Sequence, residues 1–84
     1  MDNFPRIKSV ITLPEKRLRV QFENGVIKFY DCRPLLKSPP FQPLKDEAFF
    51  KNVAVDKGGY GIIWNEQLDL SEAELWVNGV LESP

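Results

Sequence analysis

Three glycines fall within four residues in the stretch VDKGGYGIIW, Val55 to Trp64, with Lys57 directly before them. Glycines beside a lysine are the raw material of a phosphate-binding loop, because backbone amides free of side chains can close around an anion. That chemistry makes further demands. A P-loop needs spaced glycines followed by lysine and serine or threonine, opening a helix whose amides point at the phosphate. A dinucleotide fingerprint also needs a helix directly after its glycines. Here the lysine comes first, and Ile62-Ile63-Trp64, a strand pattern, follows. A turn joining two short strands accounts for Gly58, Gly59 and Gly61.

Other residue types narrow the chemistry further. Histidine is absent, which removes Ser-His-Asp and Cys-His catalysis and the commonest metal ligand. Cys32 is the single cysteine, so the chain has no internal disulfide and no all-cysteine metal site. Arg33 beside it would favour a thiolate, but a small apolar residue ending a buried strand is the simpler reading. Glu66, Asp69, Glu72 and Glu74 gather near the C-terminal end. Acids in and just before the first turn of a helix are expected from its dipole, so they read as capping and solubility residues. The remaining candidate is cationic. Arg17, Arg19 and Lys28 are placed to contact phosphates or a partner, with Tyr30 available to stack on a base. A solvated outer sheet face with a cross-strand Arg19–Tyr30 contact is the structural alternative.

Length and composition bound what can carry these groups. At 84 residues the chain reads as one α+β domain with little room for a deep pocket. The hydrophobic fraction of 43% and charged fraction of 27% belong to an ordinary globular protein. No apolar run reaches the ~20 residues of a membrane helix, and the N-terminus lacks the apolar core of a signal peptide. A reducing cytoplasm is the expected location. The net charge of −1 divides unevenly: residues 1–42 carry eight basic and four acidic groups, residues 43–84 three basic and eight acidic. Halves that attract each other within the fold, or a basic face for an anionic partner, would both use that split.

The elements that must position these residues are legible in outline. Ile7–Leu13 reads as a strand, ended by a turn at Pro14–Lys16. Leu18, Val20 and Phe22 alternate with Arg17, Arg19 and Gln21, the mark of a strand buried on one face. Asn24-Gly25 suits a two-residue type I′ turn. That turn places Val20, Phe22, Ile27 and Phe29 on one apolar face and Arg19, Gln21, Lys28 and Tyr30 on the other. Prolines 34, 39, 40 and 43 then predict a short helical turn at Leu35-Leu36 and an extended crossing segment. A short helix over Lys45–Asn52, capped by Asp46, follows. Val53–Val55 and Gly61–Trp64 read as strands. Ser71 and Glu74 form a capping box opening a last helix, with Asn78-Gly79 closing it in a left-handed conformation. The expected architecture is a single antiparallel α+β domain: an N-terminal three-strand meander, a C-terminal short strand pair, two short helices and a tail over 77–84.

The order and spacing of these pieces resemble a small bacterial family. LRVQFENGVIKFYD, then PLL, then FQPLKDEAFFKNVAVD, then GIIWNEQLDLSEAELW follow one another over Pro5 to Trp76, in a pattern similar to domain of unknown function 2442. The resemblance implies a compact α+β domain with no established activity. Some members are fused to a C-terminal helix-turn-helix domain, and others are encoded beside a second small protein in a toxin–antitoxin-like arrangement. Eight residues follow Trp76 in this sequence, so the fused domain is not expected here. Asn24, Gly25, Trp64, Asp69 and Leu70 are family motif positions without an assigned role. Structurally, Trp64 belongs in the core, while Asp69 and Leu70 fix the entry to the last helix.

These readings converge on a non-enzymatic interaction module without a cofactor or metal. Its expected partner is another protein, as for the antitoxin-like member of a two-protein system, and an exposed sheet edge allows a homodimer. The alternative is a nucleic-acid binder using Arg17, Arg19, Lys28 and Tyr30.

Overall fold

The structure is a computed structural model and describes residues 4–81. Four antiparallel strands form the first sheet in the order β1-β2-β3-β7: β1 (Ile7–Leu13), β2 (Arg17–Phe22), β3 (Ile27–Asp31) and, from the far end of the chain, β7 (Val80–Leu81). The second sheet has the order β4-β5-β6, from β4 (Ala54–Val55), β5 (Gly61–Asn65) and β6 (Leu68–Ser71). Helices α1 (Glu47–Phe50) and α2 (Glu72–Asn78) and two 3-10 turns, Arg33–Lys37 and Pro39–Lys45, complete an α+β fold.

Alternation in β2 decides which way the first sheet faces. Leu18, Val20 and Phe22 are fully buried, while Arg17, Arg19 and Gln21 between them are half-buried. The inner residues share one core with Ile62, Trp64, Leu68 and Leu70 of the second sheet, Leu44 and Phe50 from the middle of the chain, and Leu75 of α2. The Trp64 ring stacks on Phe50 at 6.2 Å and its indole N–H donates to the Phe50 carbonyl at 2.9 Å. An indole inside a core needs such an acceptor, so this bond fixes α1 against β5 as well as satisfying the ring.

The hairpin register differs from the one that the Asn-Gly pair predicts. Arg19 faces Phe29, Val20 faces Lys28, and Leu18 faces Tyr30. The loop has three residues, not two. The Gly25 amide donates to the Phe22 carbonyl at 2.9 Å, the Phe22 amide donates to Val26 at 2.8 Å, and only Gly25 is left-handed, at φ +90°. Such a loop sets one turn and then a left-handed glycine. Asn24 supports it through its side chain, which accepts from the Val26 amide at 3.0 Å. One extra loop residue moves every β3 side chain to the opposite face. Lys28 and Tyr30 therefore lie on the inner face, and Ile27 and Phe29 on the outer one.

Several boundaries also differ. The proline-rich segment coils into a second 3-10 turn where an extended crossing was expected, because Pro39 and Pro40 at its start supply helical φ without needing amide partners. Asp69 and Leu70 belong to strand β6, while Ser71 caps α2 as expected, its hydroxyl accepting from the Glu74 amide at 3.0 Å. Gly79 ends α2 at φ −73°, not in the left-handed region. Most of the expected tail is ordered structure: Val77 and Asn78 finish α2, and Val80–Leu81 form β7 against β3. Residues 82–84 of that tail lie outside the described residues.

Glu15 and Lys16, between β1 and β2, are left-handed at φ 66° and 57°. Side chains in that region cost about 1–2 kcal/mol each. Lys16 is held there by an ion pair with Glu47, and its ammonium lies 5.5 Å from the Phe50 ring centre.

Candidate functional site: the outer face of the four-stranded sheet

The glycine segment is closed by its own carboxylate. Asp56 Oδ1 accepts from the Gly58 amide at 3.1 Å and the Tyr60 amide at 2.8 Å, while the Gly59 amide donates to the Asp56 carbonyl at 3.1 Å. The amides that would cradle a phosphate are thus occupied from within. Gly59 sits at φ +76°, and a Cβ there would meet the Ile7 carbonyl oxygen at 2.8 Å. This close approach lets the Ile7 amide donate to the Gly59 carbonyl at 2.7 Å, tying the turn to β1. The Asp56→Ala substitution is expected to lower stability by about 1–3 kcal/mol, since two amides lose their acceptor. The Asp56→Asn substitution keeps an acceptor oxygen there and should retain most of the stability; urea titration of both variants checks this.

The four hairpin residues do not form one surface. Tyr30 is buried and its hydroxyl donates to Glu74 Oε2 at 2.7 Å. The Lys28 ammonium lies 3.9 Å from the Trp76 ring centre and donates to the Trp76 carbonyl. Trp76 in turn meets Phe22 edge-on at 5.0 Å. Together these contacts clamp α2 onto β2 and β3. A cation at the carbonyl end of a seven-residue helix also suits its dipole. Glu74 therefore completes only half of a capping box: its amide bonds Ser71, but its carboxylate is turned to Tyr30.

Arg17 and Arg19 remain on the outer face. There β2 presents Arg17, Arg19 and Gln21 as a central polar stripe. Beside it on β1 lie Ser9, Ile11 and Leu13, paired with Gln21, Arg19 and Arg17 respectively. On the other side β3 contributes Ile27, Phe29 and Asp31, followed by Val80 opposite Phe29. No side chain of this face is fully buried, Ile11 is 50% exposed and Val80 63%, and none of its apolar residues joins the core. Arg17 Nε donates to the Pro14 carbonyl at 3.1 Å. Among the described residues Arg19 has neither a hydrogen-bond nor an ion-pair partner for its guanidinium. Asp31, the carboxylate of this face, is engaged by Arg33 at 2.8 Å, whose hydrogen bonds hold it below the ordinary aspartate range.

The other candidates are scattered or internal. Cys32 is fully buried, and that burial, with Asp31 beside it, pushes its thiol up to about 12, the reverse of an activated nucleophile. Asp69 is exposed and opposite Ile63, Leu70 is buried opposite Ile62, and Glu66 lies exposed in the turn before β6. Among the described residues no group of three or more His, Cys, Asp or Glu is placed to hold a metal ion. No helix among them is long and apolar enough to cross a membrane. A shallow cleft of about 330 Å³ is lined by Thr12, Leu13, Pro14, Glu47 and Lys51.

The apolar part of the outer face is not what a two-residue Asn-Gly turn predicts, since that turn would put Ile27 and Phe29 in the core. The signal was present: Phe22 to Val26 fits a three-residue Glu-Asn-Gly loop as well as a two-residue one.

Comparison with known proteins agrees with this architecture. A solved structure from Nitrosomonas europaea, described as a "Putative DNA Binding Protein", superposes with a TM-score of 0.68 at 24% identity. The match covers 80% of this chain and 45% of that one, so the chain spans under half the length of that protein and the likeness is one of fold. None of the curated proteins matches the chain significantly. The family model described as "Protein of unknown function (DUF2442)" matches residues 7–80, nearly the whole of both sheets and both helices, and the chain belongs to that family.

Proposed function

We propose that the protein is a non-enzymatic protein-binding module that engages its partner through the outer face of the four-stranded sheet. The observation that supports this most is the set of apolar residues flanking the polar stripe of β2, with exposed Ile11 on one side of Arg19 and Phe29 followed by exposed Val80 on the other, all outside the core. Apolar groups left together on a surface favour a protein partner over solvent. An antitoxin-like role in a two-protein system is the form of this reading that we favour, since the sheet can be covered by a second small protein. Affinity purification from native cells, after nuclease treatment, tests it. One protein should co-purify near equal stoichiometry with the wild type and be lost from an Ile11→Glu/Phe29→Glu variant that stays folded. Recovery of the chain alone, or equal recovery with the variant, would remove the reading.

Nucleic-acid binding is the second reading, favoured by the DNA-binding description of the Nitrosomonas europaea protein. Here it rests on Arg17 and Arg19, since Lys28 and Tyr30 are engaged with α2. It requires an affinity that falls steeply with salt.

A further inference from the structure

The outer face also carries a charge pattern, and on the protein-binding reading above we infer that its partner presents an acidic amphipathic helix, laid along β2 with carboxylates over Arg17 and Arg19. Three features of the face lead there.

The first is complementarity of charge. Arg17 and Arg19 stand in the central strand, Asp31 is held by Arg33, and Arg19 has no partner among the described residues. A guanidinium between two apolar neighbours gains most from a carboxylate that also brings apolar surface, because the pair is then shielded from water. A second copy of the same face fits poorly, since it would set arginine against arginine.

The second is spacing. Side chains two residues apart on a strand repeat at about 6.8 Å. Carboxylates four residues apart on a helix repeat at about 6 Å. Flexible arginine side chains cover the difference, so acids at i and i+4 match Arg17 and Arg19.

The third is width. The strands flanking β2 are each about 4.8 Å away, which puts the apolar rails of Ile11 and Leu13 on β1 and Ile27 and Phe29 on β3 roughly 10 Å apart. A helix with its side chains is about 10–12 Å across. Its residues on either side of the acidic ridge would rest on the two rails. Phosphates could also meet the arginines, but three of the four rail residues are aliphatic, whereas single-strand binders offer successive aromatic platforms.

The test uses two synthetic helical peptides of about four turns. Both carry leucines flanking a central ridge, which is glutamate at i and i+4 in one and lysine in the other. A single-stranded oligonucleotide is the third probe. Fluorescence anisotropy should show the glutamate peptide binding the wild-type protein about tenfold or more tightly than the lysine peptide. The Arg17→Glu/Arg19→Glu variant should reverse that preference, and Arg17→Gln/Arg19→Gln should abolish it, with circular dichroism confirming that both are folded. Failure of the glutamate peptide to bind, equal binding of the two peptides, indifference to the arginine variants, or tighter binding of the oligonucleotide would each overturn the inference. A native partner lost from the Ile11→Glu/Phe29→Glu variant but retained by the arginine variants would keep the binding module and remove the acidic helix.

Discussion

Replacing Phe22 by alanine is expected to lower stability by about 3–5 kcal/mol, the cost of truncating a fully buried aromatic ring. Phe22 is 0% exposed at the end of β2, faces Ile7 of β1, and meets the Trp76 ring edge-on at 5.0 Å. It thus joins the first sheet to α2, so the cavity left behind would open at a junction between elements. A domain of this length has about 4–13 kcal/mol to lose. The urea midpoint should fall sharply while the slope of the transition stays constant. Phe29 provides the matched control. It lies on the outer face, and Phe29→Ala should cost under about 1 kcal/mol, as expected for a site outside the core. The register predicted from the Asn-Gly pair would bury both rings together. Equal losses for the two substitutions would therefore support that register and contradict the observed one.

The comparison between these two phenylalanines shows what the sequence could reveal. Strict alternation in β2 identified its inner face correctly, because each of its residues reports independently on burial. The caps were equally legible: Asp46 accepts from the Ala48 and Phe49 amides, and Ser71 accepts from Glu74, as short polar side chains at helix starts should. β3 has no such internal check. Ile27, Phe29 and Tyr30 are all large, and Lys28 reads as outward-facing unless the aromatic face and carbonyl that receive it are known. Those come from Trp76, which is 48 positions away. The direction of β3 therefore depended on the loop, where one residue decides the face of every side chain after it.

The candidate site was legible in proportion to how local its determinants are. Arg17 and Arg19 stand where alternation puts them. Lys28 and Tyr30 were drawn away by contacts with α2 that no local pattern encodes. The strands β6 and β7 escaped for a related reason. Each is short, at four and two residues, and each exists through pairing with a strand distant in sequence or across a tight turn. The same slip that moved two polar residues inward moved Ile27 and Phe29 outward. The outer face is thereby a mixed apolar and cationic surface where a cationic platform was expected.

The same inward placement is expected to make stability fall at alkaline pH, in two steps. Burial pushes the Cys32 thiol up to about 12, helped by the Asp31 carboxylate, and burial with the hydrogen bond to Glu74 raises the Tyr30 hydroxyl above its usual range. Unfolded, the thiol ionises near pH 8.5 and the phenol near pH 10. The folded protein keeps both protons beyond those points, so the unfolded state binds fewer and stability declines as pH rises. Each group adds a slope approaching about 1.4 kcal/mol per pH unit. Cys32 acts alone from about pH 8.5 to pH 10, and both act above that, for a combined slope near 2.7 kcal/mol per unit. The Cys32 contribution levels off as the folded thiol itself ionises near pH 12. Below pH 8 neither group contributes. Urea titrations across pH 7–11 should show Cys32→Ala losing the first step and Tyr30→Phe the second, with the double variant lacking both. The slopes decide the matter, because each substitution also shifts stability at neutral pH by altering packing or by leaving Glu74 without its donor. An unchanged alkaline slope in the double variant would show that both groups titrate alike in the folded and unfolded chains. It would then follow that the inner face of the β2–β3 hairpin is open to water, and the clamp between the sheet and α2 would have to be abandoned with it.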